Sequence, residues 1–592
     1  MSQPTLATAI ELAQSGRIAE AIADLQKLLR RQPANALVNA NLGMLLLRSG
    51  RAAEALRHLD RSVATDPSRA AVHIDKALAL KELGQLEQAA DAAGAGARLE
   101  SANPDVQFLH ARLLRAALRY PEASNAALAA LRLRPGWPEA ADAAAVSLLG
   151  SGLGDRAVEV LNDALSHDSN HWNLNVILGV AMLYAPAVDP RQCAAQQIKV
   201  GRLFASAAPP PPPPPLLDLH PERPLRVGYL AQDLGARSAI SFFIEPALAH
   251  HHPEQVQVIV YVTNRNVTPV SPRMRKHVEY WVDAADMPDD VLAAKIRQDR
   301  IDILVDLSGR TTGNRLSTLY LRPAPVIVSA IGDAVTTGFD CVQYWIVDAT
   351  TVPPGDEHLW IEKPVRLPGC FLCYSPAEDS PPSRPPRAPD STKPITFASF
   401  NNAYKVGPEV LKLWARVLLA VPRSRLLLKA SGFQHPRARQ EFARRLAELG
   451  ITPDRLEFAG HTIDFPAHLS SYHRVDIALD PFPYNGTTTS CESLWMGVPL
   501  VTLAGKAHAG RVGASLLSCV GLPELIASDE DQYVSIAASL AADGPRLSEL
   551  HAQLRARMSA SLLCDGAAHT RALEAAYRQM WRDRCSTSLP SS

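Results

Sequence analysis

The residues best suited to chemistry lie in one stretch, LDPFPYNGTTTSCESLWMGVPLVTLAG, from Leu479 to Gly505. It leaves an apolar run, passes through Asn485, Gly486, Thr487, Thr488 and Thr489, and enters a helical pattern near Ser490. Glycine permits close backbone approach, and the amides of a helix start together with threonine hydroxyls form a donor cluster suited to a phosphate. Glu492, in the expected first turn, could accept hydrogen bonds from ribose hydroxyls. The same stretch also reads as an ordinary helix cap, with Glu492 complementing the dipole. Upstream, SFNNAYK sets Lys405 directly behind the run ITFASF. A lysine there can neutralise a departing diphosphate, the main electrostatic demand when a nucleotide sugar loses its sugar. A single lysine equally reads as a surface residue.

The elements that would position these groups are short apolar runs alternating with amphipathic helices. LRVGYL from Leu225, VQVIVYV from Val256, IDILVDL from Ile301 and VIVSAIG from Val326 form a first set. ITFASF, RLLLKA, LEFAG, VDIALD and PLVTLA form a second, after the proline-rich SPPSRPPRAPDSTKP. Strands buried on both faces and separated by helices predict parallel sheets, with ligand at their carboxyl ends in a cleft between two α/β domains. The final helix carries Leu573, Tyr577, Met580 and Trp581 at helical spacing, which reads as a packing stripe.

The front third follows another rule. Leu12, Leu46, Leu80, Leu114 and Leu148 recur every 34 residues, as do Ala21, Ala55, Ala89, Ala123 and Ala157. Gly16, Gly50, Gly84 and Gly152 share a third register, with Leu118 in the remaining slot, and Pro33, Pro67 and Pro135 close three repeats. Small residues let paired helices pack closely, glycine ends the first helix and proline stops the second. This resembles the tetratricopeptide (TPR) repeat, which implies a surface that binds peptides or proteins; a spacer or dimerisation arm is the alternative. Seven prolines, Pro209 to Pro215, then predict an extended linker of about 20 Å at ~3.1 Å per residue.

At 592 residues the chain is too long for one core. Lys+Arg and Asp+Glu both total 60, so no basic excess points to nucleic acid. The opening MSQPTLATAIELAQSGRIAE lacks a basic start and an apolar h-region, and no run of about 18 apolar residues occurs, so neither a leader nor a membrane span is expected. The eight cysteines include one close pair, Cys370 and Cys373, which without a second pair or nearby histidines reads as packing. A cytoplasmic location is expected.

FNNAYK, LDPFPYNGTTTSCESLWMG and GRVGASLLSCVGLPELIA, in this order behind the repeats and together with LRVGYLAQDLG, LRPAPVIVSAIG and YRQMW, resemble the O-linked N-acetylglucosamine transferases. The resemblance covers nearly the whole chain and implies an α/α TPR solenoid followed by an α/β GT-B unit, two Rossmann-like domains with a cleft. It implies the array at 1–205, a proline-rich linker at 206–224 and Rossmann-like domains at 225–380 and 395–566, joined by 381–394 and followed by a helix and tail at 567–592. By resemblance Lys405 contacts the donor diphosphate, Asn402 is a polar donor-site residue and His468 lies at the nucleotide end. Thr488 and Thr489, with Thr487 before them, hold the phosphates, and Glu492 binds the ribose. No metal or other cofactor is expected beyond the nucleotide-sugar co-substrate.

The implied reaction is an inverting displacement by a Ser or Thr hydroxyl of a protein recruited by the array. The chain departs from the family around the sugar and acceptor: Arg237 stands where relatives carry a histidine after the first strand, Arg310 where many bacterial members carry one, and Thr487 where one commonly precedes the threonine pair. GDAVTTG, with Asp333 and Ala334, replaces a G-Y-P-x-T-[ST]-G pattern. Asp333 and His220 are the candidate bases, with a donor phosphate oxygen as a further one. Two extra arginines would also suit an acidic sugar, as in transferases that modify flagellin from CMP-nonulosonic acids. UDP-N-acetylglucosamine is the first expectation for the donor; a CMP-activated acidic sugar or GDP-fucose is the alternative. A non-catalytic TPR scaffold is the reading from another class, and a homodimer through the array is left open.

Overall fold

A computed structural model describes residues 5–207, 209–216, 218–235, 237–263, 270–311 and 313–587. Ala208 and Leu217 of the expected linker and the tail residues 588–592 lie outside the described residues. Two units result: Met1–Leu178 with His435–Glu441, and Gly179–Gln434 with Phe442–Ser592.

The first unit is a helical array, α1 (Leu6–Gln14), α2 (Ile18–Arg31), α3 (Ala36–Arg48), α4 (Ala52–Thr65), α5 (Ala70–Glu82), α6 (Leu86–Leu99), α7 (Pro104–Ala116), α8 (Tyr120–Leu133), α9 (Pro138–Gly150) and α10 (Gly154–His167). The registered residues explain its repeat. Gly16, Gly50, Gly84 and Gly152 take positive φ angles of 71–81° just past the first helix of each pair. The next residue's N–H then reaches back to the registered leucine's carbonyl: Arg17 to Leu12, Arg51 to Leu46, Gln85 to Leu80, Arg119 to Leu114 and Leu153 to Leu148, all at 2.8–2.9 Å. This is the left-handed helix stop that glycine favours. Leu118 adopts the same turn at φ 56°, which costs a side-chain-bearing residue about 1–2 kcal/mol. The five registered alanines are fully buried, which lets the second helix of each pair lie close.

The boundary between the units falls within α11 (Trp172–Met182), and α12 (Pro190–Ala207) belongs to the second. Residues 179–207 group here instead of with the array because α12 packs on the first sheet domain: the Phe204 ring lies 4.7 Å from Tyr320 and 5.4 Å from Phe339. Pro209–Pro215 form neither helix nor strand.

The first sheet contains β1 (Leu225–Ala231), β2 (Val256–Val262), β3 (Tyr280–Asp283), β4 (Ile303–Asp306), β5 (Val326–Ser329), β6 (Tyr344–Asp348) and β7 (Lys363–Leu367), in the order 3-2-1-4-5-6-7. The second contains β8 (Ile395–Ser399), β9 (Ser424–Lys429), β10 (Leu456–Ala459), β11 (Ile477–Leu479), β12 (Leu500–Leu503) and β13 (Ile526–Ala527), in the order 10-9-8-11-12-13. The pairings are parallel, as expected for apolar strands linked by crossover helices. Strand order reverses direction between β1 and β4 and between β8 and β11, and ligands in such sheets bind outside the carboxyl ends at these points. Ser515 Oγ donates to Asp348 Oδ2 at 2.6 Å and Arg511 pairs with Asp356 at 2.6 Å, joining the two domains. The last helix, Gly566–Ser586, returns to the first sheet and buries Leu573, Tyr577, Met580 and Trp581 in its core. No helix among the described residues is long and apolar enough to cross a membrane.

Candidate functional site

The site grows from the switch point of the second sheet. Asp480, one residue past β11, is fully buried and accepts hydrogen bonds from Gly486 N–H at 2.7 Å, Thr502 Oγ1 at 2.7 Å and Ser490 Oγ at 3.4 Å. Asn485 adds two pins, Nδ2 donating to the Pro481 carbonyl at 2.8 Å and Oδ1 accepting from Gly513 N–H at 3.2 Å. Gly486 is required by space, since a Cβ there would stand 2.3 Å from Ser490 Oγ. The loop therefore delivers Thr487 as the N-cap of the helix Thr488–Trp495 in one fixed conformation. Thr489 Oγ1 donates to Asn401 Oδ1 at 3.1 Å and ties this helix to the end of β8. The Thr487 side chain makes no capping bond, so the first amides of the helix are left to an external acceptor.

Lys405 ends a short turn, Ala403–Lys405, that follows β8. Its Nζ donates to the Asn485 carbonyl at 2.6 Å and stands 4.2 Å from the centre of the Tyr484 ring. Burial pulls the ammonium below its ordinary range while Asp480 opposes that fall; burial raises Asp480 in turn. A lysine with one of three N–H groups spent, set against the loop of Thr487–Thr489, can receive an anion at modest reorganisation cost. Asn402, by contrast, is exposed and accepts from Tyr404 N–H at 3.3 Å, capping the Lys405 turn.

A second cluster lies beside this one. Glu492 is buried and sits beyond the first helical turn, so it does not complement the dipole as expected there. Its Oε2 accepts from His468 Nε2 at 3.1 Å, with the Tyr472 hydroxyl 3.5 Å away. His468 Nδ1 is met by Lys429, the last residue of β9. Burial pushes the Tyr472 hydroxyl well up and Glu492 adds to it. Phe465 stacks against His468 at 5.8 Å, and the Arg237 guanidinium from the first domain lies 4.8 Å from the Phe465 ring centre. Arg237 is also paired with Asp379 at 2.7 Å.

Across from the donor loop, β4 ends in Asp306, which accepts from the N–H groups of Ser308 at 3.2 Å and Gly309 at 3.0 Å. Asp333, past β5, is buried, and its Oδ2 has no hydrogen-bond partner among the described residues; burial raises the Tyr484 hydroxyl of the opposite domain, and Asp333 adds to that rise. Burial pushes the Asp306 carboxyl up to about 7, and Asp333 adds to the rise; burial also raises Asp333, with Arg310 opposing. Arg310 does not project into open space. Its guanidinium lies 3.4 Å from Asp333 and donates to the carbonyls of Thr336, at 3.3 Å, and Thr337. A fork already spent on protein acceptors is not available to a sugar carboxylate, which corrects the expectation that Arg310 opens toward an acidic sugar. His220 is not brought here. It precedes β1 at the amino end of the sheet, where its carbonyl accepts from Trp581 Nε1 at 3.3 Å, because a parallel strand separates its two ends by its full length.

Asp480, Lys429, Tyr472 and Asp306 were not singled out from sequence. Asp306 and Lys429 close apolar strands and Asp480 directly follows one, a signal of the same kind as Lys405 in the loop behind β8. Among the described residues no group of three or more His, Cys, Asp or Glu is arranged to hold a metal.

Asp306 yields a stability prediction. A carboxyl whose pKa is higher folded than unfolded binds its proton better in the native state. Its contribution is full below about pH 4 and is lost as pH rises through about 7. Asp306→Asn should therefore lose less thermal stability than wild type between those limits. Parallel Tm-against-pH curves for the two proteins would contradict this.

The family model described as glycosyl transferase family 41 matches residues 216–375 and 387–573, and a tetratricopeptide repeat model matches 12–80. The probable UDP-N-acetylglucosamine-peptide N-acetylglucosaminyltransferase SPINDLY of Solanum lycopersicum is 44% identical over 375 residues, 63% of this chain and 40% of that protein. The relative of the same enzyme name called SEC, from Arabidopsis thaliana, is 32% identical over 376 residues, 62% of this chain and 38% of its own. The chain thus spans about two fifths of the length of these curated relatives. The solved structure of a Thermobaculum terrenum O-GlcNAc transferase mutant superposes with a TM-score of 0.74 at 33% identity, covering 88% of this chain and 99% of that one.

Proposed function

The chain belongs to glycosyl transferase family 41, and from that premise we propose that it is an inverting protein O-glycosyltransferase. It moves N-acetylglucosamine from UDP-N-acetylglucosamine to Ser or Thr of proteins recruited by the helical array. The observation that carries this reading is the Lys405 ammonium held against the Asn485–Thr489 loop at the point where strand order reverses. The enzyme names of SPINDLY and SEC support the sugar and the peptide acceptor, and that of the Thermobaculum O-GlcNAc transferase supports the sugar.

The acceptor oxygen attacks the anomeric carbon, the bond from that carbon to the diphosphate oxygen breaks, and the nucleoside diphosphate leaves. Lys405 and the amides that open the helix at Thr488 stabilise the charge that develops on the leaving oxygen. Thr488, with Thr487 before it, adds hydroxyl donors, while the Thr489 hydroxyl, expected beside them, already donates to Asn401; His468 and Glu492 hold the nucleoside, and Asn402 keeps the Lys405 turn in shape. Of the two side chains weighed as base, Asp333 is retained: it follows β5 at the carboxyl end of the first sheet, its Oδ2 has no hydrogen-bond partner among the described residues, and Arg310 pairs with its other oxygen. All eight cysteines are free thiols, which supports work in a reducing, cytoplasmic setting.

The test is transfer of radiolabelled sugar to proteins of a cell lysate, with labelled UDP-N-acetylglucosamine, GDP-fucose and a CMP-nonulosonic acid in parallel. Label from the UDP donor, released by β-elimination from Ser or Thr, is the expected result. Label from another donor alone would overturn the sugar, and none from any would leave the scaffold reading in its place.

A further inference from the structure

We infer that Lys429 is a positioning residue of the nucleotide pocket, one that fixes both the tautomer and the ring plane of His468; this rests on the reading of His468 and Glu492 as nucleotide-side residues. Lys429 closes β9 and is 5% exposed, so it is not a solvated surface lysine. Its Nζ meets His468 Nδ1. An ammonium has hydrogens to give and no lone pair to offer, so Nδ1 must be the acceptor and the imidazole hydrogen must sit on Nε2. That hydrogen points at Glu492 Oε2, 3.1 Å away. Tyr472 completes the row, its hydroxyl donating to the Thr489 carbonyl at 3.1 Å beside the same carboxylate.

The charges run positive, neutral and negative from Lys429 through His468 to Glu492, and they cancel. A protonated His468 would instead set two cations head to head. Burial lowers the Lys429 ammonium and Glu492 opposes that fall, so the carboxylate two links away helps keep the lysine charged. The groups facing the ring are thus Lys429, Glu492 and Tyr472, with the rings of Phe400 at 6.0 Å and Phe465 at 5.8 Å.

With both nitrogens engaged in its own plane, the imidazole cannot turn, and it has no hydrogen left for a ligand. His468 therefore meets a nucleobase through its ring face. Glu492 Oε2 is taken up by this row, which leaves Oε1 as the oxygen that a ribose hydroxyl would meet. Lys429 acts on the nucleotide only through this row, so its loss should alter the state of the histidine as well as affinity.

The experiment uses the full chain labelled with ¹⁵N-histidine, the His468 signals being assigned by difference from His468→Asn. UDP is titrated alongside, with GDP and CMP for comparison. Wild type should show the Nε2–H tautomer. Lys429→Met should show mixed tautomers or the imidazolium, with UDP affinity down about tenfold, the order expected on losing a charge-assisted hydrogen bond to a supporting group. Lys429→Arg, which also only donates, should restore the tautomer. An Nδ1–H or imidazolium His468 in wild type would overturn the inference, as would Lys429→Met with tautomer and affinity unchanged. Wild type that shows the assigned tautomer but binds no nucleotide would overturn the proposed function and leave the lysine-histidine pairing standing as a structural contact.

Discussion

Lys405→Ala should lower kcat/KM for donor turnover by about 10²–10³-fold while leaving the fold intact. The ammonium is bonded to one backbone carbonyl, that of Asn485 at 2.6 Å, and lies over one ring. Neither contact is needed to shape the loop, which Asp480 and Asn485 pin independently. On the proposed function, alanine would remove the charge that meets the leaving diphosphate, a contribution worth more in the transition state than in the ground state because charge accumulates as the sugar bond breaks. Release of UDP from UDP-N-acetylglucosamine is the measurement, with circular dichroism as the control for folding. A folded variant retaining about a tenth or more of the wild-type rate would separate Lys405 from the chemistry.

Asp480→Ala should act by the opposite route, through the scaffold. The carboxylate accepts from Gly486, Thr502 and, at a longer 3.4 Å, Ser490, and its removal strands chiefly the buried Gly486 amide and the buried Thr502 hydroxyl. Unsatisfied buried donors cost about 1–3 kcal/mol each, so a total of about 3 kcal/mol is expected. For a domain of this size that corresponds to a fall of roughly 6–12 °C in the transition of the second sheet domain. Nucleotide binding should weaken with it, because the Thr487–Thr489 amides are presented by the loop that Asp480 shapes. Differential scanning calorimetry reads the first effect. An unshifted transition would show that the loop is held by something other than this carboxylate.

The array was legible because its signal is local and repeated: one leucine carbonyl, one left-handed residue and one small alanine recur in fixed register. Leu118 shows that the register, more than the glycine itself, carries the turn. Lys405 and the threonine loop were legible for a related reason, since each lies in the loop that leaves a strand whose direction sets where its end must face. Four features were not. Arg310 looks open in sequence, and only the folded chain turns Asp333 and two carbonyls toward it. Lys429 and His468 stand 39 residues apart on different elements, so their pairing has no periodic trace. Glu492 falls past the first helical turn because the helix begins at Thr488, a boundary that a run of three threonines leaves ambiguous. His220 misled through proximity in sequence to β1, since it stands before the strand and therefore at the wrong edge of the sheet.

The central claim is that the cleft above β8 and β11 is a nucleoside diphosphate site completed by Lys405. Isothermal titration calorimetry of UDP, GDP and CMP against wild type and Lys405→Ala tests it most directly. UDP should bind with preference over GDP and CMP and lose most of its affinity in the variant. Preference for CMP or GDP, or UDP binding that is indifferent to Lys405, would contradict the account.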